Sequence, residues 1–415
     1  MPTVPRRRGR KPRVPVTDLL PALAYHVMHG AGTLSEHFSQ LFDDSLADSS
    51  WTDRRARLPW AIFVELMRRV LRPKATRRHS DAFWRGWRLV ALDGTQFSLT
   101  NTPQITATTT KARTRRGRAA FAKITTAVLL EIGLHNPIAA AIGRGGESEW
   151  ALATRLLAQL PKGVLLLADR LYGVAAFAVP ALAACQRVGS HFLLRARPNV
   201  TPRVIARLAD GSRQIRVGLR AKGNPHRIVE WLEMREIRVR VGRQGHRTRE
   251  LRLWTSLRDP HTAPALELAQ LYARRWEHEL YFREVKRQLR KTDVLQSHTI
   301  ETAAQEIAAL VLVSALLAAE RLRAAGGQIP VLRVSFIKMF ELLKPMWLAI
   351  DLGDGLLTDH QLNQMIKRGY ARMRQCLTPP RRARSCPRAV RRPMKAWPRL
   401  LQTQSIEGPL HFQLV

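Results

Sequence analysis

Tyr272, Arg275, Glu279 and Lys286 follow one another at spacings of three, four and seven residues. On an α-helix advancing about 100° per residue they fall at roughly 0°, −60°, −20° and −40°, an arc of about 60°. A phenol, a guanidinium, a carboxylate and an ammonium then share one face. Such a face suits a polyanion: the carboxylate can hold a metal ion, while the two cations and the phenolic hydroxyl hold phosphate oxygens. The plain alternative is a solvated helix side on which Arg275 and Glu279 form an ordinary i,i+4 ion pair.

Two upstream aspartates close apolar runs. Trp87-Arg-Leu-Val-Ala-Leu-Asp93 leads into Gly94, and Gly163-Val-Leu-Leu-Leu-Ala-Asp169 leads into Arg170, Leu171 and Tyr172. Each reads as a buried strand with an acid at its C-terminal end, and Gly94 would let backbone or substrate come close. Singly, an acid in this position is a turn former. Jointly, acids converging from separate elements can hold Mg²⁺, which prefers carboxylate oxygens and keeps several waters. Two such ions stabilise the entering and leaving oxygens when a phosphodiester is attacked in line by water or a 3′-hydroxyl.

Spaced Tyr-x2-Arg-x3-Glu-x6-Lys, with Asp93-Gly94-Thr95 and Asp169-Arg170-Leu171-Tyr172 before it, the chain resembles the insertion-sequence transposases of the IS-four type over about residues 16–345. The resemblance implies that Asp93, Asp169 and Glu279 form a metal-binding Asp-Asp-Glu triad for two Mg²⁺ or Mn²⁺ ions. It implies that Tyr272, Arg275 and Lys286 hold DNA phosphate near the cleavage site. Some relatives stack a flipped base on a tryptophan of their insertion; Trp231 and Trp254 lie in the corresponding region here, and the match assigns that role to neither.

Composition points to the same partner. Lys and Arg number 69 against 32 Asp and Glu, a formal charge of +37, and such an excess repels itself unless a polyanion neutralises it, nucleic acid being the commonest and membrane surfaces and acidic proteins the alternatives. The longest uncharged apolar run, Ile307 to Ala319, is too short to span a bilayer and reads as a buried core helix. No secretory signal is legible, and Cys185, Cys376 and Cys386 are too scattered for a zinc cluster or disulfide framework. A reduced, cytoplasmic, nucleoid-associated protein is expected.

The elements that must position these residues can be read along the chain. Residues 1–80 comprise a basic arm and a helical region from about Val16 to Leu71, where apolar residues recur at helical spacing. Its expected role is binding DNA ends. Residues 81–345 form the catalytic domain: strands near 87–93, 121–130 and 138–142, a helix from about 147 to 160, a strand at 163–169, a helix near 175–187 and a strand at 191–195. That order is the RNase H-like one, an α/β mixed sheet flanked by helices. A β-rich insertion of alternating apolar and basic residues occupies about 200–258, before a helix that begins near Pro264 and carries Glu279. Residues 346–415 are read as a helical and basic, Pro-rich tail, its proline-rich stretch running from Pro379 to Arg399.

Other polar residues receive plainer readings. His278 and His298 read as solvated or satisfied side chains, Glu147 and Glu149 as capping charges at a helix start, and Glu277 and Glu284 as ion-paired surface. Arg170 either touches phosphate or neutralises Asp169. The leading function is a transposase acting on double-stranded DNA, both element ends and target, as a synaptic homodimer without membrane contact. The alternative is a catalytically inactive basic DNA-binding protein derived from one.

Overall fold

The computed structural model describes residues 14–42, 44–114, 117–241, 249–290 and 292–379. The basic arm of residues 1–13 and the proline-rich stretch after Pro379 lie outside the described residues. Four helices open the chain: α1 (Val16–His26), α2 (Leu34–Leu41), α3 (Asp48–Ala56) and α4 (Trp60–Val70). Thr33 starts α2 with a capping box, its hydroxyl accepting from Glu36 N while the Glu36 carboxylate accepts from Thr33 N.

The region after these helices is built on one mixed sheet. Its strands are β1 (Phe83–Trp84), β2 (Trp87–Ser98), β5 (Lys123–Glu131), β6 (Asn136–Ile142), β7 (Val164–Ala168) and β8 (His191–Arg195); β3 (Arg113–Thr114) and β4 (Gly117–Arg118) form a separate ribbon. The sheet runs β6-β5-β2-β7-β8, with β5 antiparallel to both β2 and β6, and β7 parallel to β2 and β8. Three successive antiparallel strands followed by two parallel additions at the first strand's free side is the RNase H-like arrangement expected from sequence. Helices α5 (Pro103–Thr108), α6 (Glu149–Leu156) and α7 (Ala175–Arg187) lie between the strands in sequence. β7 is buried throughout, as a parallel strand covered on both faces must be.

One boundary differs from expectation in a way that matters. β2 does not stop at Asp93 but continues to Ser98, because its antiparallel partner goes on supplying hydrogen bonds from Asp93 opposite Val128 to Ser98 opposite Lys123. The parallel ladder with β7, by contrast, ends at Leu92 opposite Ala168. Asp93 thus stands where the sheet splits, with its neighbour on one side missing.

The insertion is β9 (Arg203–Arg207), β10 (Arg213–Ala221), β11 (Asn224–Val241) and β12 (Arg249–Thr255), and it continues the same sheet: β12 pairs with β8, then β11, β10 and β9 follow outward. Trp254 is fully buried in it and Trp231 is 47% exposed, so only the second offers an indole to solvent.

The expected single helix after Pro264 is four segments. α8 (Ala265–Tyr272) passes through a 3-10 turn (Ala273–Arg275) into α9 (Trp276–Arg283), which continues as a π-helical turn (Glu284–Leu289). A uniform 100° step therefore does not hold across it. Then come α10 (Ile300–Ala325), α11 (Phe336–Gly353) and α12 (Asp359–Gln375). α10 is long and apolar enough to cross a membrane, but 83% of its most apolar window is buried inside the protein. One apolar core holds Leu19, Phe38, Trp51 and Phe63 of the first helices together with Ile307, Leu310 and Leu317 of α10 and Met339 of α11.

Candidate active site

Asp93 and Asp169 are delivered by adjacent parallel strands, Asp93 one residue beyond Leu92 and Asp169 one beyond Ala168, the last matched pair of that ladder. Asp93 accepts from Gly94 N through Oδ1 at 3.0 Å, and Asp169 accepts from Leu171 N through Oδ1 at 2.6 Å, which fixes the turn after β7. Asp93 is only 15% exposed. Burial pushes its carboxyl up to about 7, with the Asp169 and Glu149 charges adding to the push and Arg275 and the Gly94 N–H opposing it.

Glu279 comes from α9 and reaches Asp93 through a guanidinium. Arg275 places Nη1 3.1 Å from Asp93 Oδ2 and Nη2 2.8 Å from Glu279 Oε1. Tyr272, one turn earlier, is buried and donates its hydroxyl to Ala168 O at 3.1 Å, tying the helix to the end of β7 beside Asp169. Lys286 lies further along β2: its Nζ donates to Gln96 O at 2.6 Å and sits 4.9 Å from the Phe97 ring centre. Burial, with Lys123, Arg290 and Arg287 nearby, pulls the Lys286 ammonium down to about 8. Tyr272, Arg275 and Lys286 thus each contact β2 or the end of β7, three strand positions separating the Lys286 contact from Asp93.

A fourth carboxylate stands with them. Ser148 caps α6 by accepting from Ala151 N, which frees Glu149, read from sequence as a capping charge, to turn inward. Its Oε1 accepts from the Tyr172 hydroxyl at 2.8 Å, and a Cβ added to Gly94 would lie 2.3 Å from Glu149 Cδ. Gly94 has no positive φ, so what its bare Cα provides is room for this side chain. Burial raises the Glu149 carboxyl, and Asp169 raises it further. The signal was present in the sequence as a glycine after Asp93 and an acid in the first turn of the helix before Asp169, but nothing there joined the two. Glu147 stays outside, bound to Gly145 N and Arg155.

The flanking residues depart in part from their plain readings. Both glutamates are ion-paired as read, Glu284 with His135 and Arg321 and the half-buried Glu277 with His135, but Glu284 is buried rather than on the surface. His278 is fully buried with neither ring nitrogen hydrogen-bonded among the described residues, and burial keeps it neutral. His298 is exposed, as expected. Arg170 is exposed and makes no ion pair with Asp169 among the described residues.

Two of these carboxyls, those of Asp93 and Glu149, are raised by burial, and among the described residues no three His, Cys, Asp or Glu side chains stand arranged to hold a metal ion; the donor chemistry, all oxygen, is that of a hard divalent cation. Arg275 shows that Asp93 and Glu279 present oxygens to a single positive group. With two strand-borne aspartates, a helix-borne glutamate and flanking cations in place, residues 84–316, more than half of the chain, match the transposase DDE domain, and the chain belongs to that family. Transposase InsG for insertion sequence element IS4 of Escherichia coli (strain K12) is 26% identical over 290 residues, 68% of this chain and 60% of InsG. The match therefore spans less than two thirds of that relative. Among solved structures, the piggyBac transposase synaptic complex with hairpin DNA covers 88% of this chain and 79% of its own at a TM-score of 0.44 and 10% identity.

Proposed function

We propose that this chain binds the ends of a mobile DNA element, cleaves phosphodiester bonds there and joins the resulting 3′-hydroxyls to target DNA, working as a dimer on two ends. The observation that carries the reading is the meeting of Asp93 and Glu279 on the Arg275 guanidinium at the split between β2 and β7, with Asp169 one residue beyond the end of β7 and Glu149 over Gly94. Asp93, Asp169 and Glu279 are the residues that would hold two Mg²⁺ or Mn²⁺ ions, with Glu149 beside them. Such ions supply charge stabilisation of the entering and leaving oxygens.

The protein's own contribution is placement. Arg275 and Lys286 are spaced along β2 to hold consecutive parts of a phosphate backbone, Arg275 at Asp93 and Lys286 at Gln96. Tyr272, expected to grip phosphate, instead commits its hydroxyl to Ala168 and holds Arg275 at the mouth of the site. The helices of residues 16–70 and the insertion offer further basic surface for the duplex.

The test is cleavage of an end-labelled duplex carrying the element's terminus, in Mg²⁺ and in Mn²⁺. Asp93→Asn, Asp169→Asn and Glu279→Gln should each lower the rate by roughly a thousandfold or more, with duplex affinity within about threefold of the parent, because affinity comes from many phosphate contacts. A Glu279→Gln protein that cleaves at the parent rate would sink the assignment.

A further inference from the structure

The face of α9 opposite the site is gripped by one buried imidazole. His135 occupies the turn from β5 to β6 with a left-handed backbone, φ 52°, and is 6% exposed. Its Nε2 lies 3.0 Å from Glu277 Oε2 and its Nδ1 2.6 Å from Glu284 Oε2. Carboxylates only accept, so a ring that serves both must donate from both nitrogens, which requires the imidazolium. Arg321 closes the network, its Nη1 3.1 Å from Glu284 Oε1 while its other nitrogens bond Val334 O and Leu332 O.

The geometry of the helix gives this clamp a purpose. Glu277 and Glu284 are about 20° apart on an α-helix, and Glu279 lies about 160° from Glu277. His135 therefore holds the back of the helix whose front presents Arg275 and Glu279. It holds it from the turn that follows β5, the strand whose Val128 stands opposite Asp93, so clamp and aspartate are joined through one antiparallel ladder. Glu284 is also the first residue of the π-helical turn that carries Lys286. The body of α9 is also tied to α10 by the neutral Tyr281 hydroxyl, 2.9 Å from Ser314 Oγ, while neither His278 ring nitrogen is hydrogen-bonded among the described residues. On the front, Tyr272 to Ala168 O, Arg275 to Asp93 and Lys286 to Gln96 O link this helical run to the sheet, and of these the Arg275 link, the one nearest Glu279, must open if Arg275 is to bind phosphate.

We propose that His135 is a positioning residue of this active site: by bridging Glu277 and Glu284 it sets the rotation of α9, and so the approach of Glu279 to Asp93, when Arg275 is drawn away by DNA. This rests on the assignment of Asp93 and Glu279 made above.

The experiment uses the full chain with two substitutions compatible with a positive φ. His135→Gly removes the clamp without backbone strain, and His135→Asn keeps one donor. Duplex affinity, single-turnover cleavage, Mn²⁺ binding by electron paramagnetic resonance and melting temperature are measured together, with cleavage read well below each protein's melting point. His135→Gly should cleave about 100-fold more slowly, the cost of misplacing a reacting group by roughly an ångström. Its duplex affinity should stay within about twofold, its Mn²⁺ binding should weaken, and His135→Asn should recover part of the rate. Parent-like cleavage and Mn²⁺ binding by His135→Gly would overturn the inference. So would a loss that disappears once both proteins are compared at equal distance below their melting temperatures, since that marks a purely structural residue. Asp169→Asn runs alongside: if it too leaves cleavage and Mn²⁺ binding untouched, the site assignment has failed rather than the positioning role.

Discussion

Arg275 and Asp93 meet across 182 residues of sequence, Nη1 3.1 Å from Oδ2, at the point where β2 leaves its parallel partner. The guanidinium neutralises Asp93 and Glu279 together, and in the proposed reaction it would give up both to the metal ions and turn to phosphate. Arg275→Gln should then have opposite effects on two measurements. Mn²⁺ affinity in the absence of DNA should rise, and cleavage of the duplex should fall by about 100-fold with bulk DNA affinity nearly unchanged. Equal Mn²⁺ affinity in parent and variant would remove the competition.

Lys286→Ala should slow cleavage at least about tenfold, since its ammonium is fixed over β2 by Gln96 O and the Phe97 ring. Arg287→Ala is the control. That guanidinium is exposed and paired with Asp293 at 2.8 Å, and surface pairs of this kind contribute about 0–1 kcal/mol. Comparable losses in the two variants would reduce the segment to a generic basic helix.

Gly94→Ala should destabilise the protein by about 1–3 kcal/mol, because the new methyl collides with Glu149 Cγ and Cδ in a packed setting. Glu149→Ala should relieve much of that cost, so the double variant should melt above the sum of the two single losses. Strict additivity in thermal unfolding would mean that Glu149 does not sit over Gly94.

Acid should weaken the N-terminal helices first. His26 Nδ1 and His37 Nδ1 are 2.8 Å apart, with the His29 ring 4.6 Å from that of His37. Burial, reinforced by His26 and His29 and opposed by Glu36, pulls His37 down to about 4. The unfolded imidazole binds its proton near pH 6.5, so the unfolded state holds more protons between these values and stability is lost as pH falls from about 6.5 to 4. The melting temperature should decline through that window, and His37→Gln should flatten the decline. A slope unchanged by the substitution would place the acid sensitivity elsewhere.

Duplex affinity should fall by orders of magnitude between about 50 and 200 mM salt, as counterion release by a chain of formal charge +37 requires. Titration by fluorescence anisotropy at several salt concentrations measures it. A flat response would argue against nucleic acid as the main partner.

The apolar runs ending at Asp93 and Asp169 were legible because fully buried parallel strands have a composition that little else shares. β8 and α7 were equally plain. The Tyr-Arg-Glu-Lys spacing located the helical acid, yet the 3-10 and π turns around α9 left no mark in the pattern, since each is a compromise between packing and hydrogen bonding over a few residues. Glu149 and His135 were not legible as partners of the site. Both depend on side chains meeting across elements, Glu149 over Gly94 and His135 between Glu277 and Glu284, and a one-dimensional pattern carries no such distance. Charge alone made Glu277 and Glu284 look like surface, because buried carboxylates are rare unless paired, and their partner lay 142 and 149 residues away.

The single core shared by the first four helices and α10 restricts how such a protein can be rebuilt. Arg55 of α3 bonds Ser297, Gln305 and Thr302 O around the start of α10, and Gln305 returns a bond to Arg55 O. A chimera that borrowed residues 14–71 from a relative would strand Ser297, Gln305 and Thr302 O and leave Ile307 and Leu310 of α10 facing foreign helices. Exchange of the N-terminal helices therefore has to carry the matching side of α10 with it.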